Sequence, residues 1–437
     1  MASILRRAKI GWEMEFFILD ENGSPVNKAN ELIKALENEK YLHARKEISQ
    51  IMIEIGSDAK GTVKDAASSF LKRLEKLVEL SEKHSYRLLP LATYPGKTSP
   101  KLNDNTTWYR AKKSVLGDAG LIEASVCGYH FHYELPERIV KEERIETTKC
   151  SHSKDVFLNQ YNFLIAIDPV GISLCQSSPF WQGKQLAKDC RILMYRDFAL
   201  NDYSEVNGMH YYLPLFGSLP NYEFTLNDLR VMADKRKTEW IKILQKNRFK
   251  NIVDIMCVPT LKFMWGPLRI NKIGTFEYRG PDINYPAYTM ALTALMRYAL
   301  EAIENQKFKT QPDDLGITEP FLLEDDIIYL PPYSHVRHLE YLATTSGLES
   351  ETVYTYCKKL LSLVDKISHR SKKSKFLTPI RNILKQKKTI SDEIIELALK
   401  NGYVKNEVMT DDLANYLGLY FSKRFDKEIE YAKKLCL

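Results

Sequence analysis

Pairs of ionisable side chains recur two residues apart in segments that are otherwise apolar. They are Glu13 and Glu15 in "GWEMEFFIL", His130 and His132 in "GYHFHYE", and Glu277 and Arg279 in "GTFEYRG". On a β-strand, residues i and i+2 point to the same face. Like charges at that distance repel, and burial strengthens the repulsion. The spacing therefore indicates that something positive lies between the two carboxylates of the first segment.

A fourth segment, "KEISQIMIEI", adds Glu47 and Glu54. Taken singly, each pattern is more often a solvated strand face or a hydrogen-bonded core group. Taken together, carboxylate oxygens and an imidazole form the ligand set that suits Mg²⁺ or Mn²⁺. Such ions hold nucleotide phosphates, and Arg279 can neutralise charge on a transferring phosphoryl group. The residues therefore predict a metal-dependent site for phosphoryl transfer.

The spacing of Glu47 and Glu54 differs from that of the other pairs. These residues are seven apart, so a regular strand would point them to opposite faces. A β-bulge between them, or a helical stretch of about two turns, would bring them together.

The elements that must position these residues can be read from hydrophobic periodicity. The four segments read as strands, "TVKDAASSFLKRLEKLVELSEKHS" and "YPAYTMALTALMRYALEAIEN" read as helices, and residues 94–112 and 181–230 read as loops. After the second helix, "QKFKTQPDDLGITEP" reads as a linker, and the chain from about residue 322 reads as all-helical. The pattern predicts a mixed strand-and-helix part followed by a helical part.

Composition places the chain among ordinary globular proteins. It has 437 residues, is 44% hydrophobic and 27% charged, and carries a net charge of +7. It lacks the dense basic tract with interleaved aromatics that indicates nucleic-acid binding. Seven cysteines without a C-x-x-C pair argue against a disulfide framework and a thiolate zinc site. The N-terminal segment has no apolar run of signal-peptide or membrane-spanning length, so we expect a cytoplasmic protein without membrane partners.

Known nucleotide-binding and hydrolase motifs are missing from the sequence. It contains no P-loop, no Rossmann glycine fingerprint and no G-x-S-x-G elbow. A nucleotide would therefore bind on a platform of strands and metal ions.

The order of motifs "GWEMEF", "QIMIEIGSD", "LATYP", "GYHFHYE", "SSPFWQG" and "GTFEYRGPD" resembles the glutamate–cysteine ligase family of the carboxylate–amine ligase type, over roughly residues 8–300. The resemblance implies the α+β catalytic fold of glutamine synthetase, in which a curved antiparallel sheet forms a funnel. It places a catalytic domain at residues 1–306 and a helical C-terminal region at residues 307–437.

The resemblance also implies an activity: ATP-dependent formation of a γ-glutamyl amide from glutamate and an amine such as cysteine, through an acyl phosphate. The implied cofactors are ATP and Mg²⁺ or Mn²⁺. Carried over by motif, the residues implied to bind metal are Glu13, Glu15, Glu47, Glu54, His130 and Glu277. Those implied to bind the nucleotide or substrate are His132, Arg191 and Arg279. Those implied to carry catalysis are Glu54, Glu277 and Arg279.

The chain departs from the family pattern at two motifs. It reads Tyr129-His130-Phe131-His132-Tyr133-Glu134 where members commonly have Thr-His-x-His-x-Gly, and Tyr94 stands where His is common in compact bacterial members. These departures leave the amine substrate open. Two other functions also stay open: a phosphotransferase on the same fold and a non-catalytic nucleotide-binding protein. The C-terminal helices either pack on the catalytic part or mediate homo-oligomers.

Overall fold

The computed structural model describes residues 7–36, 44–103, 106–137, 139–146, 151–198, 208–210, 213 and 215–437. Part of the predicted loop 181–230 thus lies outside the described residues. The strands are β1 (Ile10–Leu19), β2 (Arg45–Lys46), β3 (Met52–Gly56), β4 (Arg87–Leu89), β5 (Tyr129–Glu134), β6 (Val140–Lys141), β7 (Arg144–Ile145), β8 (Phe180–Trp181), β9 (Lys184–Gln185), β10 (Leu268–Asn271), β11 (Thr275–Tyr278), β12 (Lys309–Pro312), β13 (Leu323–Glu324) and β14 (Ile327–Leu330).

Helices make up most of the remaining described chain. They are α1 (Ala29–Leu36), α2 (Val63–Lys83), α3 (Thr107–Leu116), α4 (Gly120–Glu123), α5 (Ser151–Ala166), α6 (Asp168–Cys175), α7 (Cys190–Tyr195), α8 (Leu226–Lys246), α9 (Ile252–Met256), α10 (Pro286–Gln306), α11 (Leu315–Thr318), α12 (Tyr333–Thr345), α13 (Glu351–Ile367), α14 (His369–Lys372), α15 (Thr378–Gln386), α16 (Ile390–Lys400) and α17 (Asp411–Cys436). The mixed strand-and-helix fold is confirmed. Helix α3 begins inside segment 94–112, where the sequence predicted a loop.

The main sheet has seven strands in the order β10-β11-β5-β1-β3-β2, with β4 also paired to β1. Its pairings are antiparallel. Strand β1 lies near the middle, and nearly all of its side chains are buried. Strands β3 and β5 pair directly with β1, and β11 pairs with β5. The four strands that carry predicted site residues are therefore neighbours in the sheet.

The two faces of β1 have different partners. Trp12 and Phe16 point to the helical face, where their rings pack 5.5 Å from Phe70 of α2 and 5.5 Å from Phe425 of α17. Period-2 alternation then sends Glu13 and Glu15 to the other face. Burial of one face by helices thus fixes which face carries the carboxylates.

The last helix, α17, packs against β4, α2 and α10. The turn after β1 lies against its backbone, because a Cβ on Gly23 (φ +94°) would fall 2.2 Å from the Asn415 carbonyl oxygen. The Tyr94 hydroxyl donates to Asn415 Oδ1 at 2.6 Å, and Ser24 Oγ donates to the same oxygen at 2.8 Å. The C-terminal helix is therefore part of the packing around the main sheet. The boundary between residues 306 and 307 stays a prediction.

The predicted linker is wrong in part. Residues 309–312, inside the predicted linker, form β12, which pairs in parallel with β14. Strands β13 and β14 form a hairpin over residues 323–330. The sequence predicted only helices from about residue 322, so that prediction is also wrong in part. Asp325 and Asp326 both have positive φ, 44° and 63°, in the two-residue turn between β13 and β14. Such turns are usually marked by Asn-Gly or Asp-Gly. An Asp-Asp turn gives no such signal, so the hairpin was missed.

A buried network of charges links α6, α7 and α12. Arg196 pairs with Asp168 at 2.5 Å and with Glu340, while Arg337 pairs with Glu340 at 2.8 Å and with Asp197 at 2.6 Å. All five side chains are buried. Because the pairs are removed from water, each carboxylate depends on its arginine partners.

We expect Glu340→Ala to lower the free energy of unfolding by about 3–5 kcal/mol, because two buried guanidinium groups would lose a partner. Guanidinium denaturation followed by circular dichroism measures this change. The control is Glu396→Ala, which removes the same side chain from an exposed pair with Lys388 and should cost about 1 kcal/mol or less. Equal losses in the two variants would contradict the expectation.

No helix in the described part of the chain is both long and apolar enough to cross a membrane. Six of the seven cysteines are free. The seventh, Cys150, lies outside the described residues.

Candidate active site

Cross-strand register gathers the predicted residues on one face of the main sheet. Glu15 lies opposite Glu54 of β3, and Glu13 lies opposite His130 of β5. Residues directly opposite each other in an antiparallel pair point to the same side. The structure thus brings together side chains that are more than a hundred residues apart in the chain.

Two clusters of possible ligand atoms result, each with its atoms within 4.8 Å of one another. One contains Glu13, Glu54 and His130, and the other contains Glu15, Glu47 and Glu54. Both include Glu54. A set of carboxylate oxygens and one imidazole fits Mg²⁺ or Mn²⁺, for which carboxylates are preferred ligands.

Glu47 joins the second cluster through a chain reversal. Strands β2 and β3 are antiparallel, with Arg45 opposite Glu54, and Glu47 lies in the connection between them. Neither a bulge within one strand nor a helical stretch is present there. The reversal removes the parity problem because Glu47 no longer belongs to the same strand as Glu54.

The two histidines lie beside Glu13. His130 Nδ1 is 3.7 Å and His132 Nε2 is 3.6 Å from Glu13 Oε2. His132 Nδ1 forms a 3.0 Å hydrogen bond with Thr275 Oγ1, which fixes the ring. His132 Nε2 is buried and has no hydrogen-bond partner among the described residues. A buried nitrogen without a hydrogen-bond partner is consistent with a ligand at this position.

Burial and neighbouring charges shift the pKa values of the glutamates in the two clusters. Burial, with the charges of Glu13 and Glu15, raises the pKa of Glu54 to about 8. Burial, with the charges of Glu15 and Glu54, raises the pKa of Glu47. Burial would also raise the pKa of Glu13, but the two imidazoles beside it bring its pKa below the usual value. The clusters therefore hold protons at neutral pH that a bound cation would displace.

Glu277 lies farther along the same face, opposite His132 and Arg269. Its Oε2 accepts hydrogen bonds from Arg269 Nε at 2.6 Å and from Asn271, and its Oε1 accepts one from Arg279 Nη1 at 2.6 Å. Although burial opposes ionisation, the two arginines keep its pKa below the usual range. Glu277 belongs to neither three-residue cluster. Its role as a metal ligand stays a prediction.

Arg191 holds the loop that follows β11. Its guanidinium donates at 3.2 Å to the carbonyl oxygens of Arg279, Gly280 and Pro281. A Cβ on Gly128 would lie 2.6 Å from Arg191 Nη2, so glycine is needed for this close approach. Arg191 therefore positions the backbone of Arg279. Direct contact of Arg191 with a substrate stays a prediction.

An open cleft adjoins these groups, and Glu15, Glu47, His130, Arg191 and Arg279 line it. Glu123, Tyr195 and Gly266 also line this cleft. Glu123 forms an ion pair with Lys112 of α3 at 2.7 Å. The cleft thus joins the carboxylate clusters to Arg279 and to Glu123, which is paired with Lys112.

Sequence reasoning missed several residues of this site. Arg45 Nη1 contacts Glu13 Oε1 at 2.9 Å and Glu54 Oε1 at 3.5 Å. Arg269 and Asn271, the partners of Glu277, lie two residues apart on β10, the spacing already used for the other pairs. That spacing was a signal that could have found them. Nothing in the sequence indicated Glu123 or Lys112.

We expect Glu54 to lower the stability of the metal-free protein as pH rises from about 4.5 to about 8. Over this range folded Glu54 keeps its proton, with a pKa of about 8, while the unfolded residue, with a pKa near 4.5, releases it. The folded state binds more protons, so each such group lowers the unfolding free energy by up to about 1.4 kcal/mol per pH unit. Chemical denaturation with a chelator at pH 5.5 and pH 8 measures the change.

Glu54→Gln removes the titrating group and should reduce this pH dependence. Glu21→Gln, in an exposed turn, should leave it unchanged. If Glu54→Gln shows the same slope as the wild type, Glu54 does not hold the proton.

Both the sequence and the fold of this chain are similar to those of known proteins. The model of glutamate–cysteine ligase family 2 matches residues 9–246, more than half of the chain. The solved structure of glutamate–cysteine ligase from Francisella tularensis in complex with AMP is similar, with a TM-score of 0.57 and 12% identity over 98% of this chain and 92% of that chain.

A second similar structure is the bifunctional glutathione synthetase from Pasteurella multocida, with a TM-score of 0.51 and 13% identity over 97% of this chain and 52% of that chain. This chain therefore spans about half the length of that protein. No curated protein sequence matches it significantly. At these identities the two structures show a shared fold.

Proposed function

The chain belongs to glutamate–cysteine ligase family 2, and from this we propose that it is an ATP-dependent carboxylate–amine ligase that forms a γ-glutamyl amide. The observation that carries the proposal is the pair of carboxylate clusters that share Glu54, in one cleft with Arg279. Cysteine or a related amine is the proposed acceptor. The proposed fold is the funnel of glutamine synthetase, with a catalytic part at residues 1–306.

Glu13, Glu15, Glu47, Glu54 and His130 would hold Mg²⁺ or Mn²⁺. When bound, the ions supply positive charge that binds the nucleotide phosphates and offsets the repulsion between anions. Burial and Arg279 keep the pKa of His130 below its usual value, so the imidazole is neutral and able to act as a ligand. Glu277, already paired with arginines, fixes Arg279.

In the first step, a γ-carboxylate oxygen attacks the γ-phosphorus of ATP, and the bond to the β-phosphate oxygen breaks. The products are ADP and an acyl phosphate. Both reactants are anionic, so cations must stabilise the transferring group. Arg279, whose backbone is held by Arg191, presents its guanidinium to the cleft. Its position suits the charge that develops on the phosphoryl oxygens.

In the second step, the amine nitrogen attacks the acyl carbon, and the bond to phosphate breaks. The nitrogen loses a proton, and inorganic phosphate leaves. Glu123 lines the cleft and Lys112 pairs with it, so the two residues offer one group of each charge to a zwitterionic amino acid. We propose that the amine binds beside this pair, because the carboxylate clusters and Arg279 are the proposed site of the metal ions and phosphates.

We expect the purified protein with ATP, Mg²⁺ and glutamate to release phosphate in an amine-dependent reaction and to form a γ-glutamyl product. Glu54→Gln and Arg279→Ala should each lower turnover at least about a hundredfold, because charge stabilisation of this kind is worth that much. The fold of Arg279→Ala should survive, since Glu277 keeps Arg269 and Asn271. Mass spectrometry of products and a coupled assay for ADP provide the measurement.

The outcomes separate the alternative functions. Reversible phosphoryl transfer without amide would favour a phosphotransferase. ATP binding without turnover on a broad panel of carboxylates and amines would favour a non-catalytic nucleotide-binding protein. Wild-type rates in either variant would mean that the proposed roles of these residues are wrong.

We also expect Mn²⁺ or Mg²⁺ to raise the melting temperature. A ligand that binds only the folded state, at a hundred times its dissociation constant, adds about 2.7 kcal/mol. Differential scanning fluorimetry with and without each ion measures the shift. Glu54→Gln should lose most of it, because Glu54 belongs to both clusters, whereas Glu21→Gln should keep it. An unchanged melting temperature in the wild type would contradict the metal site.

A further inference from the structure

Arg45 lies where a bound cation and its carboxylate ligands would meet. It belongs to the two-residue strand β2, and its register opposite Glu54 points its side chain to the site face. One nitrogen, Nη1, is 2.9 Å from Glu13 Oε1 and 3.5 Å from Glu54 Oε1. Both carboxylates belong to the cluster that also contains His130. The guanidinium therefore contacts two of the carboxylates that the cluster offers to a metal.

The ion pairs of Arg45 with Glu13 and Glu54 can be broken without disturbing the core. About 64% of the Arg45 side chain is exposed, against 21% for Glu13 and 8% for Glu54. Those two ion pairs are the contacts that hold the guanidinium among the described residues. A long, exposed side chain has room to move away without disturbing the core, whereas the two glutamates are held on paired strands.

Displacement does not remove the positive charge from the site. The Arg45 backbone stays fixed by its pairing with β3, so the released guanidinium remains at the edge of the clusters. There it repels a cation that binds alone. It attracts the phosphate oxygens of a nucleotide that binds with the cation, because guanidinium and phosphate form charge-assisted hydrogen bonds.

We propose that Arg45 is a charge switch that weakens the binding of a cation alone and strengthens the binding of a cation with a polyphosphate: it occupies the carboxylates in the free protein and moves to the phosphates when cation and nucleotide bind together. This inference rests on the proposed function, since it assumes that the clusters bind a divalent cation. Arg45 then lowers the affinity for the cation alone and raises the affinity for the cation–nucleotide complex.

Binding of Mn²⁺ alone, and of the Mn²⁺ complex of a non-hydrolysable ATP analogue, tests the switch by calorimetry on the full chain. Arg45→Met should bind Mn²⁺ alone about tenfold more tightly and the complex about tenfold more weakly than the wild type, within the usual range of coupling between sites. Opposite shifts are the signature, because a merely structural role would weaken both. Arg45→Lys, which keeps the charge, should shift both affinities less.

The neighbouring Lys46 gives a matched control. It is exposed on the same strand and lies opposite Ile53, so its side chain points away from the site. Lys46→Met removes the same net charge and should leave both affinities unchanged. If Arg45→Met binds Mn²⁺ alone no more tightly than the wild type, or binds the complex equally well, the switch is overturned. If no variant and no wild type binds Mn²⁺, the metal site of the proposed function fails as well.

Discussion

Four glutamates on one sheet face impose the constraint on which this structure depends. Glu13 and Glu15 follow each other on one side of β1, and Glu54 and Glu47 approach from the neighbouring hairpin. Carboxylates this close oppose each other's ionisation, and burial increases the cost. The face is stable only with protons, arginine or metal among the carboxylates. The raised pKa of Glu54, about 8, and the contact with Arg45 are two forms of the same compensation.

The negative charges of the glutamates are compensated differently at the two ends of this sheet face. At one end, the carboxylate of Glu277 accepts hydrogen bonds from Arg269, Asn271 and Arg279. Its negative charge is therefore compensated by groups of the protein itself. Around Glu54 the compensation is incomplete: within the described part of the chain, the arginine that contacts its carboxylate is Arg45, whose side chain is largely exposed. One end is therefore preorganised to present a fixed positive group, and the other end is receptive to cations. Phosphoryl transfer between two anions needs both properties in one cleft.

Much of the arrangement of charged residues on this sheet face could be predicted from the sequence, because residues two apart on a strand point to the same face. That rule alone paired Glu13 with Glu15 and His130 with His132. It does not say which strands are neighbours, so Arg45 beside Glu13 and Arg269 beside Glu277 depended on register. The hairpin that places Glu47 and the Asp325–Asp326 turn lacked glycine signals, and both were missed for that reason. The partners supplied by distant segments, such as Lys112 for Glu123, follow only from the folded chain.

Tyr94 shows how the C-terminal helix affects the interpretation of the substrate. Its departure from the family pattern leaves the amine open, yet its hydroxyl donates a hydrogen bond to Asn415 of α17 and its side chain is buried. A residue held by the helix that supports the main sheet is not available to select a substrate. In the proposed function, the selection of the amine then falls to cleft residues such as Glu123 and Tyr195. Glu123 belongs to α4 and Tyr195 to α7, whereas Glu13, Glu15, Glu54 and His130 lie on strands. In the proposed function, phosphoryl transfer therefore depends on side chains of the sheet, and the choice of amine depends on side chains carried by helices.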